Sequence, residues 1–180
     1  MTKSNLLNIS SLSPTPLSSS VSPVQEWLIY KSSEFKIQVK YLSTWSYQLK
    51  DNPWDSIVVF FPKDQQNLEV KDVKVAVSVE PLSNLISLSQ YVSSFEKEIL
   101  KDNEESKLIE TSEYLMINAS GRKITYKFKR NDSVIRKVAF VTLRDKRAYI
   151  IYYETTLEAF PKFEQIAEDM AKSLQIENPK

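Results

Sequence analysis

The side chains that most often carry chemistry are scarce in this chain. Its 180 residues include no cysteine and no histidine. Zinc and copper sites lean on those two types, and the commonest general base and the Ser-His-Asp arrangement need histidine. Disulfides and thiol chemistry are excluded outright. Only one glycine is present, Gly121, so neither GxGxxG nor GxxxxGK[ST] exists to bring backbone N–H groups against a phosphate. An EF-hand loop needs a glycine at its sharp turn and is missing too. Asp102, Glu104 and Glu105 invite a calcium reading, because hard cations take carboxylate oxygens, but they read better as the solvated end of a helix. No carboxylate pair stands out for acid–base work. The expectation is a non-enzymatic chain with no cofactor and no metal site.

What remains is charge. Residues 121–147 hold ten lysines and arginines against Asp132 and Asp145, a local +8 in a chain whose formal net charge is +1. Lys127, Lys129, Arg136, Lys137 and Arg144 are the candidate binding residues of this stretch. If the two arms form an antiparallel hairpin, Lys127, Lys129 and one of Arg136 or Lys137 share a face. Such a face fits an anionic partner. An acidic protein surface comes first and a membrane-associated complex second. Nucleic acid is the weakest choice, since the positions between the charges offer no clear aromatic platforms. The alternative is a solvated sheet face neutralised by residues 96–113, where seven acids meet three lysines. Trp27, Trp45 and Trp54 suggest a different site, a small-molecule cleft between sheet and helices, against the plainer reading of core and rim tryptophans.

Periodicity supplies the elements that must position these residues. Residues 8–23 contain seven serines and three prolines, the composition of a flexible tail or linker. The expected organisation is a tail over 1–25 and one domain over 26–180. The first 25 residues lack a continuous apolar block and match a secretion signal poorly. Cytoplasmic residence is the default, with the thylakoid lumen or another extracytoplasmic space as the alternative for a tethered parent protein. Alternation predicts strands at EFKIQVKY, SIVVFFP and VKVAVSVEP. The period then lengthens over SLSQYVSSFEKEILKD, and Ser87 with Gln90 has the form of a capping box. Strands follow at IETSEYLMI, GRKITYKFKR, SVIRKVAFVTL and AYIIYYET, joined by turns at RND and DKR. The run from Leu157 to Leu174 closes the chain as an amphipathic helix with Pro161 in its first turn. Gly121, heading a strand after NAS, predicts a positive-φ turn or a bulge. The fold class is α+β, an antiparallel sheet covered by two main helices.

Three segments resemble the PsbP-like family, the fold shared by the extrinsic oxygen-evolving-complex protein of photosystem II and the Ran-binding nuclear import factors. EFKIQVKYLSTW is similar to the family's opening strand, with Phe35, Ile37, Tyr41 and Trp45 in register and Leu42 where the family has proline. GRKITYKFKR resembles its glycine-led strand with spaced aromatics. AYIIYYETTLEAFPKFEQIAEDMAKSL resembles the closing strand and helix, ending in Ser173 and Leu174. The likeness spans roughly residues 28–176. It implies an α/β/α sandwich and a monomeric, non-catalytic protein-binding module, associated with a photosystem or serving as a tethered accessory or sensor domain. None of the three segments is a catalytic motif.

Overall fold

In the computed structural model the described residues are 25–50, 56–64, 73–102 and 105–177, with the side chain of Asp102 excepted. Nearly all of the Ser/Pro-rich tail, together with Trp54 and Glu104, lies outside them. Val75, Val77 and Val79 alternate with Ala76, Ser78 and Glu80 along β5 (Lys74–Pro81), and such alternation sends the two sets to opposite faces. Both faces are covered. Val75, Val77 and Val79 pack with the C-terminal helix, and on the opposite face of the sheet the first helix covers β6, β7 and β8.

The main sheet has seven strands in the order β3-β4-β5-β9-β8-β7-β6, every pairing antiparallel. These are β3 (Trp45–Leu49), β4 (Val58–Pro62), β6 (Lys107–Met116), β7 (Ala119–Arg130), β8 (Ser133–Arg144) and β9 (Arg147–Thr156), with β5 between β4 and β9. Helix α1 (Leu88–Asp102) joins β5 to β6 across one face. Its start is the expected capping box: the Ser87 N–H donates to Gln90 Oε1 at 2.9 Å and the Gln90 N–H to Ser87 Oγ at 3.2 Å. Helix α2 (Phe160–Lys172) lies on the other face and buries Phe160, Phe163, Ala167, Met170 and Ala171, with proline in its first turn. The α+β architecture is as expected, with one addition. A second sheet, β1-β2-β10, is built from β1 (Trp27–Ser32), β2 (Ile37–Leu42) and β10 (Gln175–Ile176). Ile37, Val39 and Tyr41 of β2 enter the same core as α2.

Ser173 is the hinge between α2 and that small sheet. Its hydroxyl donates to the Met170 carbonyl at 2.6 Å and accepts the Lys40 N–H at 2.9 Å. Leu174 beside it is buried. The serine-plus-apolar ending of the family-like segment thus ties the helix end to β2.

Both expected turns form. Asn131 takes φ 54° between β7 and β8, and Asp145 and Lys146 take φ 49° and 55° between β8 and β9, the pair of positive values a two-residue type I′ turn requires. Gly121 corrects its expectation. It sits inside β7 opposite Tyr114, and its φ is not positive. A Cβ there would stand 2.5 Å from the Val141 carbonyl oxygen. Close strand approach, not turn geometry, requires the glycine. Gly121→Ala should therefore destabilise by about 1–3 kcal/mol, the range of an overpacked interior site, read as a lower urea midpoint at unchanged slope.

Candidate functional site

The register of the main sheet sorts the basic residues. Lys107, Lys127, Arg136 and Thr155 are successive cross-strand partners on β6, β7, β8 and β9. They form one row on the α2 face, with strands about 4.8 Å apart. The Arg136 guanidinium lies 4.2 Å from the Phe160 ring centroid, at the start of α2, a cation–π contact that fixes its plane. Arg136 Nε and Thr155 Oγ1 are buried without a hydrogen-bond partner among the described residues. Beside the row a cavity of about 410 Å³ is lined by Glu105, Lys107, Lys127, Lys129 and Val134.

Several other cations of this stretch have carboxylate partners. Lys123 pairs with Glu164 and Glu168 of α2, Arg122 with Glu113, and Lys129 with Glu105 at 3.1 Å. Among the described residues no carboxylate stands within 4.0 Å of Lys107, Lys127 or Arg136. Of the basic residues singled out from sequence, the structure brings Lys127, Lys129 and Arg136 together. Lys137 follows Arg136 on β8 and so points to the opposite face. Arg144 lies at the far end of the strand, where it donates to the Ile176 carbonyl at 2.8 Å. Lys107 escaped the sequence reading. A register shift between Leu108 and Glu110 breaks simple counting along β6, so only the β6–β7 pairing reveals its place.

Of the three tryptophans, Trp27 and Trp45 are among the described residues. Trp45 is 3% exposed and packs on Phe163. Half-buried Trp27 borders a cavity of about 300 Å³ shared with Lys40, Ile117, Asp169, Lys172 and Ser173. Of the proposed calcium ligands, Glu105 is engaged by Lys129.

On the α1 face one carboxylate gathers three cations. Glu154, 3% exposed, accepts from Arg130 Nη1 at 2.6 Å and Lys74 Nζ at 3.0 Å through Oε1, and its Oε2 lies 3.5 Å from Lys137 Nζ. Burial alone would raise the Glu154 pKa, but the Arg130 hydrogen bond and the charges of Lys137 and Lys74 outweigh it and hold it below the usual carboxylate value. Burial lowers Lys137, and the attraction of Glu154 offsets only part of that. The Lys137 ammonium also sits 4.3 Å from the Tyr152 ring centroid.

No family model and no curated protein sequence matches the chain. Solved structures do. Cyanobacterial PsbP (CyanoP) from Synechocystis sp. PCC 6803 superposes with a TM-score of 0.66 at 15% identity, over 91% of this chain and 100% of that one. The Ran-binding protein Mog1p of Saccharomyces cerevisiae gives 0.56 at 9% identity, over 84% and 96%. LpqN of Mycobacterium tuberculosis, involved in cell envelope biogenesis, gives 0.58 at 8% identity, over 79% and 83%. The chain has the PsbP-like fold, as the three sequence segments implied. At these identities the likeness is one of fold.

The Glu154 network yields a stability prediction. Its folded pKa lies below the unfolded one, so its contribution is complete above about pH 4.5 and is lost as pH falls through the lowered folded value. Glu154→Gln should cost about 3 kcal/mol, the low end for breaking a buried pair because Lys74 and Arg130 reach solvent. The variant should also flatten the acid limb of stability against pH in urea titrations.

Proposed function

We propose that this chain is a non-catalytic binding module whose cation row, Lys107, Lys127 and Arg136 with Lys129 beside it, docks an acidic protein surface. One observation carries the reading: on a single sheet face Lys123 is met by two helix carboxylates, while the row a few residues along has none within reach among the described residues. Like charges on adjacent strands repel; apart from the Arg136–Phe160 contact the row offers the fold little, and it becomes favourable when a partner brings opposite charge. It stands on paired strands and a stacked guanidinium, so little ordering is needed on binding. Mog1p is Ran-binding, which supports protein binding as a use of this fold. The likeness to cyanobacterial PsbP supports a photosystem-associated complex as the setting, with a tethered accessory role beside it.

A second reading rests on the cavity beside Trp27, whose volume sits at the small end of ligand sites. There an apolar small molecule would bind with little dependence on salt.

Affinity capture from source lysate, with cross-linking through Lys107 and Lys127, tests the row. A partner held at about 0.05 M salt should be lost at about 0.5 M, where exposed charges are screened. It should also be lost with a folded Lys107→Glu/Lys127→Glu/Arg136→Glu variant. A partner kept by that variant overturns the reading.

A further inference from the structure

The face opposite the cation row holds a second concave site, independent of the binding role above. Helix α1 packs over β6, β7 and β8, and beyond it a cavity of about 340 Å³ opens on β4, β5 and β9. Val59, Ala76 and Tyr152 form its apolar wall, and Lys50, Lys74, Lys137, Glu80 and Glu154 supply its charges.

Those charges do not balance. Lys50, Lys74, Lys137 and Arg130, which reaches in to Glu154, make four cations against two carboxylates among the described residues. Glu80 already accepts the Tyr91 hydroxyl, and both Glu154 oxygens are engaged by cations. Lys137 is only partly served. Its one charged partner stands at 3.5 Å, and its other contact is the Tyr152 ring. A partly buried ammonium so placed has donors left over and a desolvation cost that its neighbours meet only in part.

From this geometry we infer that the cavity binds a small doubly charged oxyanion, a phosphate monoester or a dicarboxylate, held directly by Lys74 and Lys137. Two negative charges would neutralise the excess. The volume admits a compact molecule of that class, and its carbon part would lie on Val59 and Ala76. Burial lowers the Lys137 pKa, and an oxyanion beside it would oppose that lowering by favouring the ammonium.

The test is an NMR titration of the full chain with inorganic phosphate in one arm and succinate in the other, at ionic strength held constant with sodium chloride. Saturable shifts confined to the cavity lining, at Lys74, Ala76, Lys137 and Tyr152, are expected in at least one arm, and the responding arm names the anion class. Lys74→Met and Lys137→Met should each weaken binding about tenfold or more, as loss of a charge-assisted contact would. Lys107→Glu/Lys127→Glu should leave it unchanged. Shifts that never saturate in the wild type overturn the inference without any variant. So does binding that survives Lys137→Met or vanishes with the Lys107/Lys127 change.

Discussion

The pairing of β5 with β9 is the constraint on which the other elements depend. Eight consecutive residue pairs, from Lys74↔Glu154 to Pro81↔Arg147, join the β3-β4-β5 meander to the β6-to-β9 meander. The last long strand in sequence therefore lies inside the sheet, buried on both faces. Tyr149, Ile151 and Tyr153 face α2, while Ala148 and Ile150 face α1. The Tyr153 hydroxyl donates to the Phe160 carbonyl at 2.8 Å and fixes where α2 begins. Helix α2 then sets Ser173 against Lys40 and draws the small sheet over the same core. Pairing at such sequence separation carries a loop-closure entropy cost, which apolar burial on both faces of β9 helps to offset.

The strand period of two turns one basic stretch into two separate electrostatic sites. Arg136 and Lys137 are neighbours in sequence, yet one stacks on Phe160 of α2 and the other on Tyr152 across the sheet. The two faces handle charge differently. On the α1 side Glu154 is drawn into the interior, where three cations make an ionised carboxylate tolerable. On the α2 side the lysines are left at the sheet end without a carboxylate within reach among the described residues, while the Arg136 guanidinium is partly covered by Phe160. A local excess of +8 on residues 121–147 therefore resolves into a partly compensated interior cluster and an open row.

Much of this was legible in the residues. Alternating valines gave away β5, the Ser87/Gln90 spacing marked the start of α1, and Asp145-Lys146 and Asn131 stood where turns formed. These signals are local, and local rules suffice for them. The small sheet was less visible: WLIYKS shows no clean alternation, β10 has two residues, and both exist because β2 offers edges to pair with. Gly121 is explained by the Val141 carbonyl, twenty positions away, which no turn rule anticipates. Trp45 belongs to the core because α2 brings Phe163 onto it, a contact made across more than a hundred positions that no local pattern announces.

The open row is not an accident of a chain short of acids. Helix α2 supplies Glu164 and Glu168 to Lys123, so carboxylates are available on the element that faces the row. Its first turn, which meets Arg136 through Phe160, carries no acidic residue. Helix N-termini favour acids there because the backbone dipole is positive at that end. A carboxylate in that turn would satisfy both the dipole and Arg136, and the sequence places none. Glu158, just before the helix, is within 4.0 Å of no lysine or arginine among the described residues. The helix end and the cross-strand cations therefore add to one positive field at one end of one face. Two independent stabilising rules are left unused at the same place, and that absence of local compensation is the feature on which the proposed anionic partner rests.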